Sequence, residues 1–249
     1  MSLEGQVAWI TGAGGGIGEA AARALAEGGA HVALSGRRAA ELERVARDIV
    51  AAGGSAETLP LDVTDDAAVA EAGRAIAERR GRLDILVANA GVNVPRRSFA
   101  EVDMAGWRKV VDVNLNGVMS CVLAALPTMR AQGGGLVIMI SSWAGRHAAR
   151  LTGPAYNASK HAVVALSHSL NMEEGVNGIR STVVMPGEVN TPILDGRPVP
   201  PPEEERARML QAADLGRIIR FAAETPPHVC LNEILVAPTR NRLFDPIGA

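Results

Sequence analysis

The sequence predicts an α/β fold: a doubly wound parallel sheet with helices on both faces. Three observations carry this. Strand-like and helix-like segments alternate along nearly all of the 249 residues, the pattern of βαβ units. The strand-like runs are continuously apolar, as in LDILVANAG (83–91) and GGGLVIMISS (133–142), which suits strands buried on both faces. A glycine-rich stretch, TGAGGGIG (11–18), separates the first strand from the first helix.

The elements follow in order. QVAWI (6–10) reads as the first strand, 19–27 as a helix and HVALS (31–35) as the second strand. Leu42, Val45, Ala46 and Ile49 repeat at helical spacing. SAETLPLD (55–62) leads to Thr64, Asp65 and Asp66, good N-caps for a helix carrying Val69, Ala72 and Ile76. LDILVANAG is too short and too β-branched for a helix and reads as the fourth strand. Trp107, Val110, Val111, Asn114, Leu115 and Val118 share one helical face. A fifth strand (133–142), a long helix (156–174), a sixth strand (STVVMPG, 181–187), a helix near 214–223 and a last strand (EILVAP, 233–238) complete the pattern. No linker interrupts it, so a single domain over 1–249 is expected. The exception is 190–208, which contains three consecutive prolines, Pro200, Pro201 and Pro202. Proline cannot continue a helix or a central strand, and a long irregular segment in a compact domain is usually functional or mobile. We read it as a loop over a substrate pocket; a plain solvated loop is the alternative.

Composition narrows the function. Hydrophobic residues make up 47% and aromatic residues 3%, so a large core of Ala, Val, Leu and Ile is expected and disorder is not. The net charge of −2 offers no basic excess for nucleic acid or an anionic membrane. Cys121 and Cys230 are far apart in apolar surroundings. They fit buried free thiols and a reducing compartment better than a disulfide framework or metal site. Apolar runs are interrupted by Gly, Pro or charge short of the roughly 18 residues a membrane helix needs. The N-terminus lacks a basic leader. A cytoplasmic protein without a resident metal is expected.

The chemistry begins at the glycines. Gly12, Gly15, Gly16 and Gly18, with Ile17, lie between strand and helix. Glycines there permit a tight turn and close approach to a pyrophosphate, which the helix N-terminus attracts. Further along, Tyr156 and Lys160 lie one helical turn apart on one face. A phenol of pKa about 10 is a poor acid or base at neutral pH, and a neighbouring ammonium favours its ionised form. Taken alone, such a pair is common on solvated helix faces.

The loop Thr11-Gly12-x-x-x-Gly16-x-Gly18 differs from the usual G-x-G-x-x-G spacing. It resembles that of the short-chain dehydrogenases/reductases. Asn89-Ala90-Gly91, Asn114, Ser142, Tyr156-x-x-x-Lys160 and Pro186-Gly187 follow in the family's order, so the resemblance covers about 5–240. It implies a Rossmann-type sheet of seven strands in the order 3-2-1-4-5-6-7, and hydride transfer between a nicotinamide cofactor and a carbonyl or secondary alcohol. Tyr156 is then the acid–base group. Lys160 lowers its pKa and binds the nicotinamide ribose. Ser142, rather than Ser141, polarises the substrate oxygen. Asn114 holds a water that links Lys160 to solvent; a structural role remains open, and Asn116 competes less well for the position. Asp62 and Val63 are implied at the adenine, and Val189 and Thr191 near the nicotinamide carboxamide. Glu188 either faces solvent or repels anionic substrates. A homotetramer or homodimer is implied.

The cofactor choice turns on the end of the second strand. The sequence there reads Ser35-Gly36-Arg37-Arg38, with no acid before Glu41. A carboxylate would repel a 2′-phosphate that a guanidinium can pair with. NADP is favoured on Arg37, with NAD open if both arginines are merely solvated. His147 and His161 lack partner spacing, with His147 a possible pocket residue. Trp143, Asn93, Arg96, Arg97 and Leu151 occupy comparable loops, and none identifies a substrate. The phrase LNEILVAPTRNR (231–242) resembles a subgroup that includes small hydroxy-acid and amino-alcohol dehydrogenases. Two rivals stand beside the enzyme: a catalytically silent dinucleotide-binding regulator or scaffold, and an epimerase or dehydratase. All four catalytic positions argue against the first. The second usually has a larger C-terminal substrate domain than the roughly 60 residues after Pro186.

Overall fold

The computed structural model describes residues 2–241. Seven strands form one parallel sheet: β1 (Val7–Thr11), β2 (His31–Gly36), β3 (Ser55–Pro60), β4 (Ile85–Ala88), β5 (Gly135–Ile140), β6 (Ile179–Pro186) and β9 (Glu233–Val236). Their spatial order is β3-β2-β1-β4-β5-β6-β9. That is the expected order, with β9 as the seventh strand of the sheet. The chain reverses its direction of winding between β1 and β4, and their carboxyl ends open the crevice where such sheets bind ligands.

Two apolar layers sandwich the sheet, because successive side chains of a strand point to opposite faces. Ala8 and Ile10 of β1 pack into one layer with Leu25, Leu34, Leu42 and Leu215. Val7 and Trp9 pack into the other with Val69, Ile76, Val122 and Met129. The first layer is covered by α1 (Gly16–Glu27), α2 (Ala39–Ala51) and α8 (Ala212–Ala223), the second by α3 (Asp66–Arg80), α5 (Gly117–Ala131) and α6 (Pro154–Glu174). Trp9 is fully buried, and its indole N–H donates to Ser35 Oγ at 2.9 Å.

Local chemistry sets the helix ends. Of the three N-cap candidates before α3 it is Asp65 that accepts from the Ala68 amide, and Gly81, at φ 71°, ends the helix. Asp103 caps α4 (Met104–Val111) in the same way. The chain then makes a π turn over Asp112–Asn116 and continues directly into α5. The resulting helix, Met104–Ala131, is long and apolar enough to cross a membrane by length and composition. It runs through Gly117 and Pro127, which had been expected to interrupt the apolar run. Its inner face is core: Val118, Cys121, Val122, Ala125 and Met129 are buried in the fold.

The segment 190–208 is more ordered than a loop. Asn190 belongs to a short strand, β7 (Val189–Asn190), that pairs with β8 (Leu210–Gln211). A 3-10 turn covers Pro192–Gly196, and α7 (Glu203–Arg208) starts directly after Pro202. The prolines stop one element and admit the next, since proline is tolerated where a helix begins. Cys121 is buried, and burial pushes its thiol up to about 12. Cys230 is only half-buried, among Asn171, Ser181 and Asn232, because it precedes the edge strand β9. The expectation of two buried thiols fails for Cys230.

Candidate active site

The glycine loop is a cradle that side chains would fill. A Cβ on Gly18 would stand 2.6 Å from Asn89 Nδ2, and one on Gly12, already at φ +66°, 2.8 Å from the same atom. Asn89 fastens β4 to the loop by donating to Thr11 O at 2.9 Å. Thr11 Oγ1 accepts from the amides of Asn89 and Ala90. The first turn of α1 has no side-chain cap, so its amides remain for an anion. Thr191 lies over Gly16, with its Cβ 3.3 Å from where a Gly16 Cβ would be. A backbone cradle, an uncapped helix start and no side chain between them fit a dinucleotide pyrophosphate.

Two connected cavities extend from this cradle. The larger, about 440 Å³, is bordered by Gly12, Gly15, Gly16, Ile17, Asn89, Ala90, Gly91, Ser142, Tyr156, Lys160, Val189 and Thr191. The smaller, about 210 Å³, is bordered by Arg37, Asp62 and Val63. Arg38 borders both. Arg37 stands 4.0 Å from Asp62, and Glu41 is paired with Arg44. Gly18 and Asn114 do not line either wall but stand behind it.

The other half of the large cavity is built around α6. Ser142 hydrogen-bonds Tyr156, while Ser141 Oγ is committed to Lys160 O at 2.8 Å. The two serine side chains therefore have different partners. Lys160 Nζ donates to Ile140 O at 2.8 Å and lies 5.6 Å from the centre of the Tyr156 ring. Burial lowers its pKa to about 8. The phenol departs from the expected effect. Burial raises the Tyr156 pKa above its ordinary value, opposed by the Ser142 hydrogen bond and by the charges of Arg197 and Arg97. Two arginines thus join the lysine around the phenol.

Asn114 is fully buried inside the π turn. Its Oδ1 accepts from Val92 N at 2.8 Å and its Nδ2 donates to Val92 O at 3.0 Å. Both Oδ1 and Lys160 Nζ come within 3.5 Å of the space a Gly91 Cβ would take. Its side chain thus pins the exit of β4 beside Lys160. Asn116 is exposed and bonds Asp112.

Several tempting residues stay outside. His147 is exposed against Trp143, with ring centres 4.8 Å apart. His161 turns to Asn157 O on the outer face of α6. Arg96 points toward Asp103. Trp143, Asn93, Leu151 and Arg97 do border the cavity. Sequence reasoning missed Arg197, Ile193 and Leu194, which join them from the 3-10 turn. Glu188 neither faces solvent nor stands as a lone negative charge: it is buried and pairs with Arg197 at 2.7 Å. Among the described residues, no three His, Cys, Asp or Glu side chains gather as a metal site.

This is the architecture of a nicotinamide-dinucleotide-binding oxidoreductase. The chain belongs to the short chain dehydrogenase family, whose model matches residues 6–198. It is 40% identical over 241 residues, 95% of its length, to glycine betaine reductase ATRR of Emericella nidulans. It spans only 19% of that relative. It is 39% identical to cis-4-hydroxycyclohexanecarboxylate dehydrogenase of Sinomonas cyclohexanicum, covering 86% of this chain and 84% of the relative. Among solved structures, a Brucella melitensis 3-ketoacyl-(acyl-carrier-protein) reductase complexed with NADH superposes with a TM-score of 0.87 at 29% identity, covering 96% of this chain and all of that one. A metagenomic short-chain oxidoreductase in complex with NADP gives 0.83 at 33% identity, over 96% and 99% of the two chains. The protein is an NAD(P)-dependent oxidoreductase.

Proposed function

We propose that the protein interconverts a secondary alcohol and a carbonyl compound, using NADP in preference to NAD, with Tyr156 as the acid–base group. One observation carries this. The Tyr156 phenol, bonded to Ser142, faces the same cavity that the glycine cradle enters from the other side. Bound nicotinamide supplies or accepts the hydride. In the reductive direction the Ser142 hydroxyl holds the carbonyl oxygen and Tyr156 donates the proton. Burial holds that proton on the phenol. Arg197 and Arg97 stabilise the phenolate left behind. Lys160, with a pKa of about 8, is suited to return a proton near neutral pH and to hold the nicotinamide ribose. Asn114 keeps Val92 and Gly91 in place beside Lys160, next to the route by which water would reach it.

Arg37 and Arg38 support NADP, since both border the smaller cavity and its one acid, Asp62, faces Arg37. Asp62 and Val63 would border the adenine, and Val189 and Thr191 the carboxamide. The name of the Sinomonas relative, a dehydrogenase of a hydroxycyclohexanecarboxylate, supports a CH–OH substrate. We read 1–249 as one domain whose substrate wall is 190–208. We place it in the cytoplasm as a homodimer or homotetramer, with the exposed Met119 and Leu123 on α5 available to a second copy. Cell fractionation and light scattering test these two readings. The chemistry is tested by assaying alcohols and carbonyl compounds with NADP(H) and NAD(H). In Tyr156→Phe, turnover should fall by about a thousandfold, within the usual range for losing an acid–base group, with dinucleotide affinity retained. Undiminished turnover would remove Tyr156 from the mechanism.

A further inference from the structure

The substrate end of the large cavity carries a charge pattern that hydride transfer does not require. Arg97 comes from the chain after β4, Arg197 from the turn after β7, and both border the cavity. Both act on the Tyr156 phenol, so both lie on the reacting side. Arg197 is half-committed: its Nη1 is held by the buried Glu188. Among the described residues Arg97 has no carboxylate partner. Its Nη2 donates to Gly196 O at 3.1 Å, and its buried Nε meets no acceptor among the described residues. An unpaired, buried guanidinium N–H is costly, and here a second guanidinium stands nearby. Burial, and to a lesser degree Arg197, pushes the Arg97 pKa below its ordinary value.

The arrangement is nonetheless built firmly. Gly153 lies at φ +77°, and a Cβ there would stand 2.9 Å from Arg97 Cβ. The arginine backbone therefore packs directly onto the start of α6, three residues before Tyr156. Asn93 donates to Thr152 O at 3.0 Å and ties the same two segments together. The substrate end thus carries two guanidinium groups against one buried anion, Glu188, in addition to the Lys160 ammonium beside Tyr156. Leu151, Trp143 and Leu194 give the rest of this wall an apolar character.

We propose that Arg97, supported by Arg197, is a carboxylate anchor, and that the substrate is a small hydroxy acid or oxo acid with an apolar frame. The carboxylate pairs with the Arg97 guanidinium where it borders the cavity, and the reacting oxygen lies between Ser142 and Tyr156. The proposal rests on the hydride-transfer reading above and specifies its substrate. Glu188 keeps Arg197 in place and offsets its charge, which leaves the Arg97 guanidinium for the carboxylate.

The test has two arms. In the first, hydroxy acids of four to eight carbons are compared with their primary amides as substrates of the whole protein with NADP. The expected acid-to-amide ratio of kcat/KM is about tenfold or more, the range for a charge-assisted hydrogen bond. In Arg97→Gln that ratio should collapse toward one, mainly through KM. In Arg97→Lys it should be partly retained, because a lysine keeps the charge and loses the fork. Amides turned over as well as acids would overturn the proposal while leaving the dehydrogenase intact. The second arm needs no turnover. Calorimetric titration of the NADP-loaded protein with cyclohexanecarboxylate and with cyclohexanecarboxamide should show tighter binding of the anion, lost in Arg97→Gln. Equal binding of the two overturns the anchor. Preferential anion binding with no turnover of any alcohol would uphold it and overturn the hydride-transfer reading instead.

Discussion

The two ends of the active-site cleft are built by opposite means. The dinucleotide end is a backbone surface: Gly12, Gly16 and Gly18 leave room, and an uncapped helix start supplies the binding groups. The substrate end is a side-chain surface, in which Arg97, Arg197, Glu188 and Leu194 converge from segments about 100 residues apart, as the Arg97–Gly196 hydrogen bond illustrates. A surface made of main chain is intolerant of change and suits a ligand shared across a family. A surface made of side chains can be altered one residue at a time, which suits a ligand that differs between relatives. Lys160 lies on the seam between the two.

The largest effect that sharpens this contrast is at the seam. Burial lowers Lys160 from 10.5 to about 8 in the folded chain. Below pH 8 folded and unfolded chains both carry the ammonium, and the fold bears the full burial penalty. Between those two values the unfolded chain binds a proton that the folded chain has lost, so stability climbs with pH. The gain amounts to about 3 kcal/mol at most. Urea unfolding at about pH 7 and about pH 10 should show this rise in the wild type and lose it in Lys160→Met. An unchanged slope in the variant would mean that the lysine is not held away from water.

A smaller effect is expected from Gly18→Ala. The added methyl would meet Asn89, and overpacking of this kind costs about 1–3 kcal/mol. Affinity for NADPH should weaken by about tenfold or more, with a lower thermal midpoint. If calorimetry finds affinity unaltered, the cradle is not a rigid main-chain surface and the contrast fails. Smaller still is Arg38→Glu, at a charged side chain that borders both cavities. Its preference for NADPH over NADH should drop by about tenfold, the value of one charge-assisted hydrogen bond. A preference that does not move would shift the 2′-phosphate contact away from Arg38 and leave Arg37 to account for it.

The same contrast explains what could be read from the residues alone. The alternation of strands and helices, the glycine loop and the Tyr156–Lys160 turn depend on local spacing, and spacing is visible in a sequence; the strand order came with the family resemblance. Ser142 was separated from Ser141 by the same resemblance. The Arg197–Glu188 pair was not visible, since a nine-residue separation across a 3-10 turn matches no regular period. The prolines at 200–202 suggested an irregular loop, whereas Pro202 is the N-cap of a short helix, α7. The π turn around Asn114 also left no trace, because one extra residue in a helix preserves the apolar face on either side. Cys230 was misjudged from its apolar neighbours; its exposure depends on β9 lying at the sheet edge.

Tyr156 is the single tyrosine of the chain. The active site is therefore optically addressable. Ultraviolet difference absorption of tyrosinate arises from one phenol only, with no label and no mutation needed. Titrating the protein alone, then with dinucleotide, then with a carboxylic acid, would follow the ionisation of that one group through each stage of assembly, and would read directly how each component alters the acidity on which turnover depends.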